Sequence, residues 1–204
     1  MKEEKYKKDL EDIKEIMNRS SRFVSLSGMS GISAGVIALI GAYAAHKMVY
    51  SQQLGIKLLE GLVPIRNVES LVLIALATLI AAISAAVFFT VRKTKSQNQK
   101  VWDYQTQRLI VNLFIPLLTG GILCLMLLFK GFLALLAPLT LIFYGLALVN
   151  ASKFTLHEIR SLGLIQIILG LIAINFIGHG LLFWSLGFGL MHILYGIIMQ
   201  VRYK

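Results

Sequence analysis

The stretch FWSLGFGLMHILYGIIMQ, Phe183 to Gln200, holds 18 residues without one Asp, Glu, Lys or Arg, and carries a histidine, His192, near its middle. A helix needs about 20 mainly apolar residues to cross the hydrocarbon core of a bilayer. Extended to Leu181–Val201, this run is long enough. Five more uncharged runs precede it, at about Phe23–His46, Ser70–Val91, Leu109–Phe129, Phe132–Asn150 and Ser161–Ile177. A single Asp, Lys or Arg at a span centre costs about 2.5–3.5 kcal/mol, so six such runs are a strong pattern. The chain reads as an all-α polytopic membrane protein with six transmembrane helices in residues 23–204.

The whole chain of 204 residues is 57% hydrophobic, with a mean hydropathy of +0.75. Its net charge of +10 is unevenly placed. Counting alternate connections, 16 Lys and Arg fall on the side of the N-terminus, and four (Lys47, Lys57, Arg66, Lys130) on the other. Positive charge accumulates on the cytoplasmic side, which predicts both termini in the cytoplasm. The cluster Arg92, Lys93, Lys95 and Lys100 is expected to meet anionic lipid headgroups rather than nucleic acid. The single cysteine, Cys124, lies within a span and excludes an intramolecular disulfide.

Residues 1–22, MKEEKYKKDLEDIKEIMNRSSR, are of a different kind. Tyr6, Leu10, Ile13 and Met17 recur at spacings of four, three and four, one apolar stripe on a helix. Glu3–Lys7, Glu4–Lys8 and Glu15–Arg19 are i,i+4 pairs in the favourable order. This predicts a separate cytoplasmic amphipathic helix. It would pack on the domain's own loops, associate with another copy, or dock a cytoplasmic protein.

The connection after the first span, SQQLGIKLLEGLVPIRNVE, suits a short interfacial helix, whereas Lys130-Gly131 and Gly178-His179-Gly180 are minimal turns. LTLIFYG (Leu139–Gly145) matches LMHILYG (Leu190–Gly196) at four of seven positions. Three helical hairpins of the same orientation are therefore expected. The first span carries Ser27, Gly31, Gly35, Ala38, Ala42 and Ala45 on one face, small residues that let another backbone come close. That seam would pack inside the bundle, with a homodimer contact as the alternative.

Chemistry is sparse. Six of the ten acidic residues lie in the N-terminal segment, and Glu60, Glu69, Asp103 and Glu158 fall outside the apolar runs. No membrane-embedded carboxylate is present to carry a proton, and no zinc-protease, serine-hydrolase or Walker motif occurs. The four histidines share no ligand spacing, so no metal, cofactor or enzymatic activity is expected. His192 sits on a stripe with Trp184, Phe188, Tyr195 and Met199. A buried neutral imidazole has one donor and one acceptor to satisfy, and Asn112, Thr119, Tyr144, Gln166 and Asn175 in other spans are candidate partners. Bonding between helices is the ordinary reading, and a proton relay or ligand contact is the alternative. His46 and His179, with Glu60 and Glu69, are a weaker candidate metal set at the outer boundary. Pro116 and Pro138 are expected to bend the third and fourth spans.

The stretch IKEIMNRSSRFVSLSGMSGISAGVIALIGAYAAHKM resembles the N-terminal part of small six-span membrane proteins of Bacteroidetes-type bacteria. That resemblance implies a bacterial inner membrane and no catalytic residues to carry over. It also suggests an association with a winged-helix regulator. The glycine-punctuated hairpins are similar, more distantly, to HdeD-like acid-resistance membrane proteins. The expected function is a non-enzymatic interaction or regulatory membrane component; a small transporter or binder of a lipid or neutral solute, with a polar path around His192, is the alternative.

Overall fold

In a computed structural model of the protein, residues 27–49, 65–98 and 101–203 are described. The amphipathic stripe of Tyr6, Leu10, Ile13 and Met17, the connection 50–64 and Lys100 lie outside these residues. Among the described residues six helices are long and apolar enough to cross a membrane. In hydrocarbon every backbone N–H and C=O must bond within the protein, and a helix does this within one segment. The protein is a multi-pass integral membrane protein.

The helices are α1 (Gly28–Val49), α2 (Ile65–Ser96), α3 (Tyr104–Phe129), α4 (Leu136–Ala151) and α5 (His157–Asn175). The sixth, α6, spans Gly180–Arg202 and is built from three stretches, Gly180–Trp184, a π-helical turn Ser185–Met191, and His192–Arg202. Helix α2 outruns its apolar core at both ends, because helical backbone bonding continues into the polar flanks once the chain leaves the hydrocarbon. At the start of α3 the Asp103 carboxylate caps the helix, accepting from the Thr106 N–H at 2.7 Å. Between α3 and α4 the turn is tight because Gly131 adopts a φ of +82°. The Phe132 N–H then reaches the Leu127 carbonyl and the Gly131 N–H the Leu128 carbonyl, a Schellman closure.

Packing departs from three closed hairpins. Helix α2 packs on α1, and α3 on α4, as chain order suggests. The last pair divides: α5 packs mainly on α4, and α6 mainly on α1. Glycine placement explains the exchange. A Cβ on Gly145 would stand 2.6 Å from the Gly163 carbonyl oxygen, and one on Gly163 would stand 2.7 Å from that of Gly145, so the α4 and α5 backbones touch where both lack side chains. Likewise a Cβ on Gly196 would stand 2.6 Å from the Ile32 nitrogen, and one on Gly35 2.7 Å from the Gly189 carbonyl oxygen. Small residues on both sides decide which helices approach.

The proximity of Gly28 to Gln200 places the start of α1 and the end of α6 at one end of the bundle. Among the described residues helix α2 has no other extensive neighbour, and its most apolar stretch is not buried. Leu73, Ile80 and Phe88 point outward, with lipid as their solvent. Pro116 lies inside α3, whereas Pro138 sits in the first turn of α4, where the missing N–H has no helical partner to lose. Helix α3 remains continuous through Thr119-Gly120-Gly121, and Gly120 receives the Phe143 ring.

Candidate functional site: a polar chain across three helices

His192 lies on α6 directly after the π turn and is buried, with 7% of its surface exposed. Its Nε2 is 2.8 Å from the Tyr144 hydroxyl on α4, and its Nδ1 is 3.0 Å from the Gly187 carbonyl oxygen one wide turn earlier. The Gln166 side-chain amide on α5 donates to that same carbonyl at 2.8 Å. Two side chains thus converge on the Gly187 carbonyl oxygen. A π turn offers such a carbonyl because its bonding is displaced from the α register.

The geometry sets the proton positions of the neutral ring. A carbonyl oxygen only accepts, so Nδ1 carries the hydrogen and Nε2 is the acceptor; Tyr144 therefore donates its O–H to Nε2. The bonds run Tyr144 O–H to His192 Nε2, and His192 Nδ1–H to Gly187, with Gln166 N–H meeting the same oxygen from the other side. The amide of Gln166 is oriented by the same logic, since its oxygen facing Gly187 would set two acceptors together. Its Oε1 is left as a buried atom without a hydrogen bond. It packs over Gly187, where a Cβ would come within 2.4 Å of it. Glycine is required there by space.

Aromatic rings pack against this chain. Phe188 stacks on His192 with centroids 5.8 Å apart and contacts Tyr144 at 4.9 Å, and Trp184 contacts Phe188 at 4.9 Å. Of the candidate polar residues, the structure brings together His192, Tyr144 and Gln166. Tyr195 is half-buried and joins none of these bonds. Asn175 is exposed and turns its amide to the Leu171 carbonyl, and Thr119 turns to Ile115. Such back-bonding satisfies a polar side chain on a lipid-facing helix.

Asn112 belongs to a separate cluster at the end of the bundle bearing most of the Lys and Arg. Pro116 has no N–H, so the Asn112 carbonyl four residues earlier loses its helical partner. The Asn150 amide of α4 takes that place at 2.8 Å, while Asn112 itself donates to the Arg108 carbonyl at 2.8 Å. The signal was in the sequence: a proline inside a span frees the carbonyl four residues before it, and a polar residue on a neighbouring span is the usual remedy.

At the same end the Glu158 carboxylate, 8% exposed, accepts from Arg202 at 2.9 Å and from the Tyr203 hydroxyl at 3.1 and 3.0 Å. The Lys93 ammonium of α2 donates to the Tyr203 carbonyl at 3.0 Å. Lys93 is thus partly turned inward, while Arg92 and Lys95 are exposed. Desolvation and the Glu158 carboxylate raise the Tyr203 pKa above the usual phenol value, and Arg202 opposes them.

The small-residue seam Ser27, Gly31, Gly35, Ala38 and Ala42 is partly to deeply buried, and its glycines lie against α6 within the same chain. At the opposite end, a cleft of about 450 Å³ opens between α1 and α6, lined by residues that include Tyr43, His46, His179 and Ser185. Among the described residues no three His, Cys, Asp or Glu side chains come together as metal ligands.

No known protein family, curated protein or solved structure matches the chain.

Proposed function

We propose that this protein is a non-enzymatic component of a bacterial cytoplasmic membrane that works through protein contacts, with both termini in the cytoplasm. The observation that carries the reading is the closed bonding of His192. Both ring nitrogens are engaged inside the protein, one by Tyr144 and one by Gly187, so the chain ties α4 and α6 together, and Gln166 adds α5. A group bound in this way fixes helix positions; it offers neither a lone pair nor a proton to a passing solute. The contact element is then the amphipathic stripe of Tyr6, Leu10, Ile13 and Met17, which takes either a cytoplasmic protein or another copy.

The test is capture of associated polypeptides by the tagged, gently extracted protein, wild type against Leu10→Glu/Ile13→Glu. The wild type is expected to retain a polypeptide at fixed stoichiometry and the variant to lose it with its thermal unfolding unchanged. Equal capture by both would refute the contact role of this stripe.

A second reading has one specific support. The cleft between α1 and α6 is of a size that holds small ligands, and would make the protein a binder of a lipid or neutral amphiphile. The polar chain at His192 would then be its scaffold. A reproducible small-molecule adduct lost on His179→Ala/Tyr43→Ala would favour this reading.

A further inference from the structure

The Asn112–Asn150 cluster anchors two cations that nothing described so far uses. Arg108 projects from the first turns of α3, exposed, with its guanidinium carbon 4.8 Å from the centre of the Tyr104 ring and 5.6 Å from that of Phe154, in the 3-10 turn Ser152–Phe154 that follows α4. Aromatic faces hold a guanidinium by cation–π attraction and leave its N–H edges free. Lys153, beside Phe154, is also exposed and reaches the Asn150 side-chain oxygen at 3.4 Å. Asn150 in turn bonds the Asn112 carbonyl, and Asn112 the Arg108 carbonyl. Both cations are therefore tied to one junction of α3 and α4. Neither is paired with a carboxylate among the described residues.

The surface leading away from Arg108 is apolar. Val111, Ile115, Leu118, Ile122, Leu125 and Phe129 are all exposed and recur at spacings of four, three, four, three and four. They form one apolar strip along α3 from the guanidinium to the far end of the span, the path that an acyl chain below a headgroup follows. We propose that Arg108 and Lys153 form a seat for the phosphate of one anionic phospholipid, with an acyl chain laid along this strip. Arg presents a planar fork that matches phosphate oxygens, and a basic pocket where spans meet at the membrane surface is a known way of holding an anionic headgroup. Arg92 and Lys95 at the end of α2 are exposed as well but have no aromatic cradle in the described contacts, so they contribute diffuse attraction and no seat.

The experiment is native mass spectrometry of the full-length protein in neutral detergent with added phosphatidylglycerol or phosphatidylcholine. Wild type is expected to retain one phosphatidylglycerol per chain in preference to phosphatidylcholine. Arg108→Gln/Lys153→Gln is expected to lower that retention about tenfold or more, as loss of charge-assisted contacts does, while Arg92→Gln/Lys95→Gln leaves it unchanged. The single exposed change Lys153→Gln serves if the double variant does not fold, and must also weaken retention. Unchanged retention in these Arg108 or Lys153 variants, or equal retention of phosphatidylcholine, overturns the proposal. Full displacement of the lipid by millimolar inorganic phosphate also overturns it, assigning the seat to a free anion.

Discussion

The Tyr144 hydroxyl donates to His192 Nε2 across 2.8 Å, joining α4 to the middle of α6, while the other nitrogen of the same ring holds the Gly187 carbonyl. Truncating the hydroxyl leaves a buried acceptor without its donor. Hydrogen bonds between membrane helices contribute about 0.6 kcal/mol on average and up to about 1.7. Tyr144→Phe should therefore lower stability by about 1–2 kcal/mol, read as thermal unfolding in detergent. His192→Phe combined with Tyr144→Phe should cost less than the sum of the two single changes, because the unpaired partner is then gone. Strict additivity would mean that the contact contributes nothing.

The glycines of the third and sixth spans predict opposite effects from one chemical change. Gly196→Ala drives a methyl to within 2.6 Å of the Ile32 nitrogen and 2.7 Å of the Gly28 carbonyl oxygen, both backbone. Overpacking of this kind costs about 1–3 kcal/mol, and a lower unfolding temperature is expected. At Gly121 a Cβ meets nothing within 4 Å, so Gly121→Ala should raise stability by up to about 1 kcal/mol through helix propensity.

Asn150 and Pro116 should be coupled although they sit on different helices. Asn150→Leu strands the Asn112 carbonyl and should cost about 1–2 kcal/mol. In a Pro116→Ala background the alanine N–H can take that carbonyl in the helix, so the cost of Asn150→Leu should fall close to zero. An unchanged cost in that background would show that the Asn150 bond does not replace the helical one.

At the basic end, Tyr203 gives a pH dependence of defined sign. Its pKa is raised in the folded protein, chiefly by desolvation and by Glu158. Its contribution is complete below the unfolded value of about 10 and is lost as pH rises through the higher folded value. Unfolding curves in alkaline buffer should show the wild type losing its advantage over Tyr203→Phe. A constant difference across that range would remove Tyr203 from the alkaline response.

The six spans were legible because membrane helices declare themselves by length and by missing charge, signals carried within each run. The neighbour of each helix was harder to read. Chain order and short turns pointed to a fifth–sixth hairpin, but a turn of three residues fixes only the ends of two helices. The backbones then settle where glycines face each other, Gly145 on Gly163 and Gly196 on Gly28 and Ile32, and that is a property of pairs. The same limit governed the site. Tyr144 was legible as a partner of His192, whereas Gly187 was not, because its role rests on a carbonyl exposed by a π turn, and Gln166 joins the site through that carbonyl rather than through the imidazole. Tyr195, aligned with Tyr144 by the repeated Tyr-Gly pair, lies off the network, while Gly145 and Gly196 share the same function of close backbone crossing.

The central claim, that the protein acts through contacts while His192 only fixes its helices, is tested most directly by native mass spectrometry of gently extracted wild type and Tyr144→Phe/His192→Phe. The account predicts the same associated polypeptide at the same stoichiometry in both, with only the unfolding temperature lowered in the variant. Loss of a small-molecule adduct from the variant, with no polypeptide associated with either protein, would contradict it and make His192 part of a ligand site.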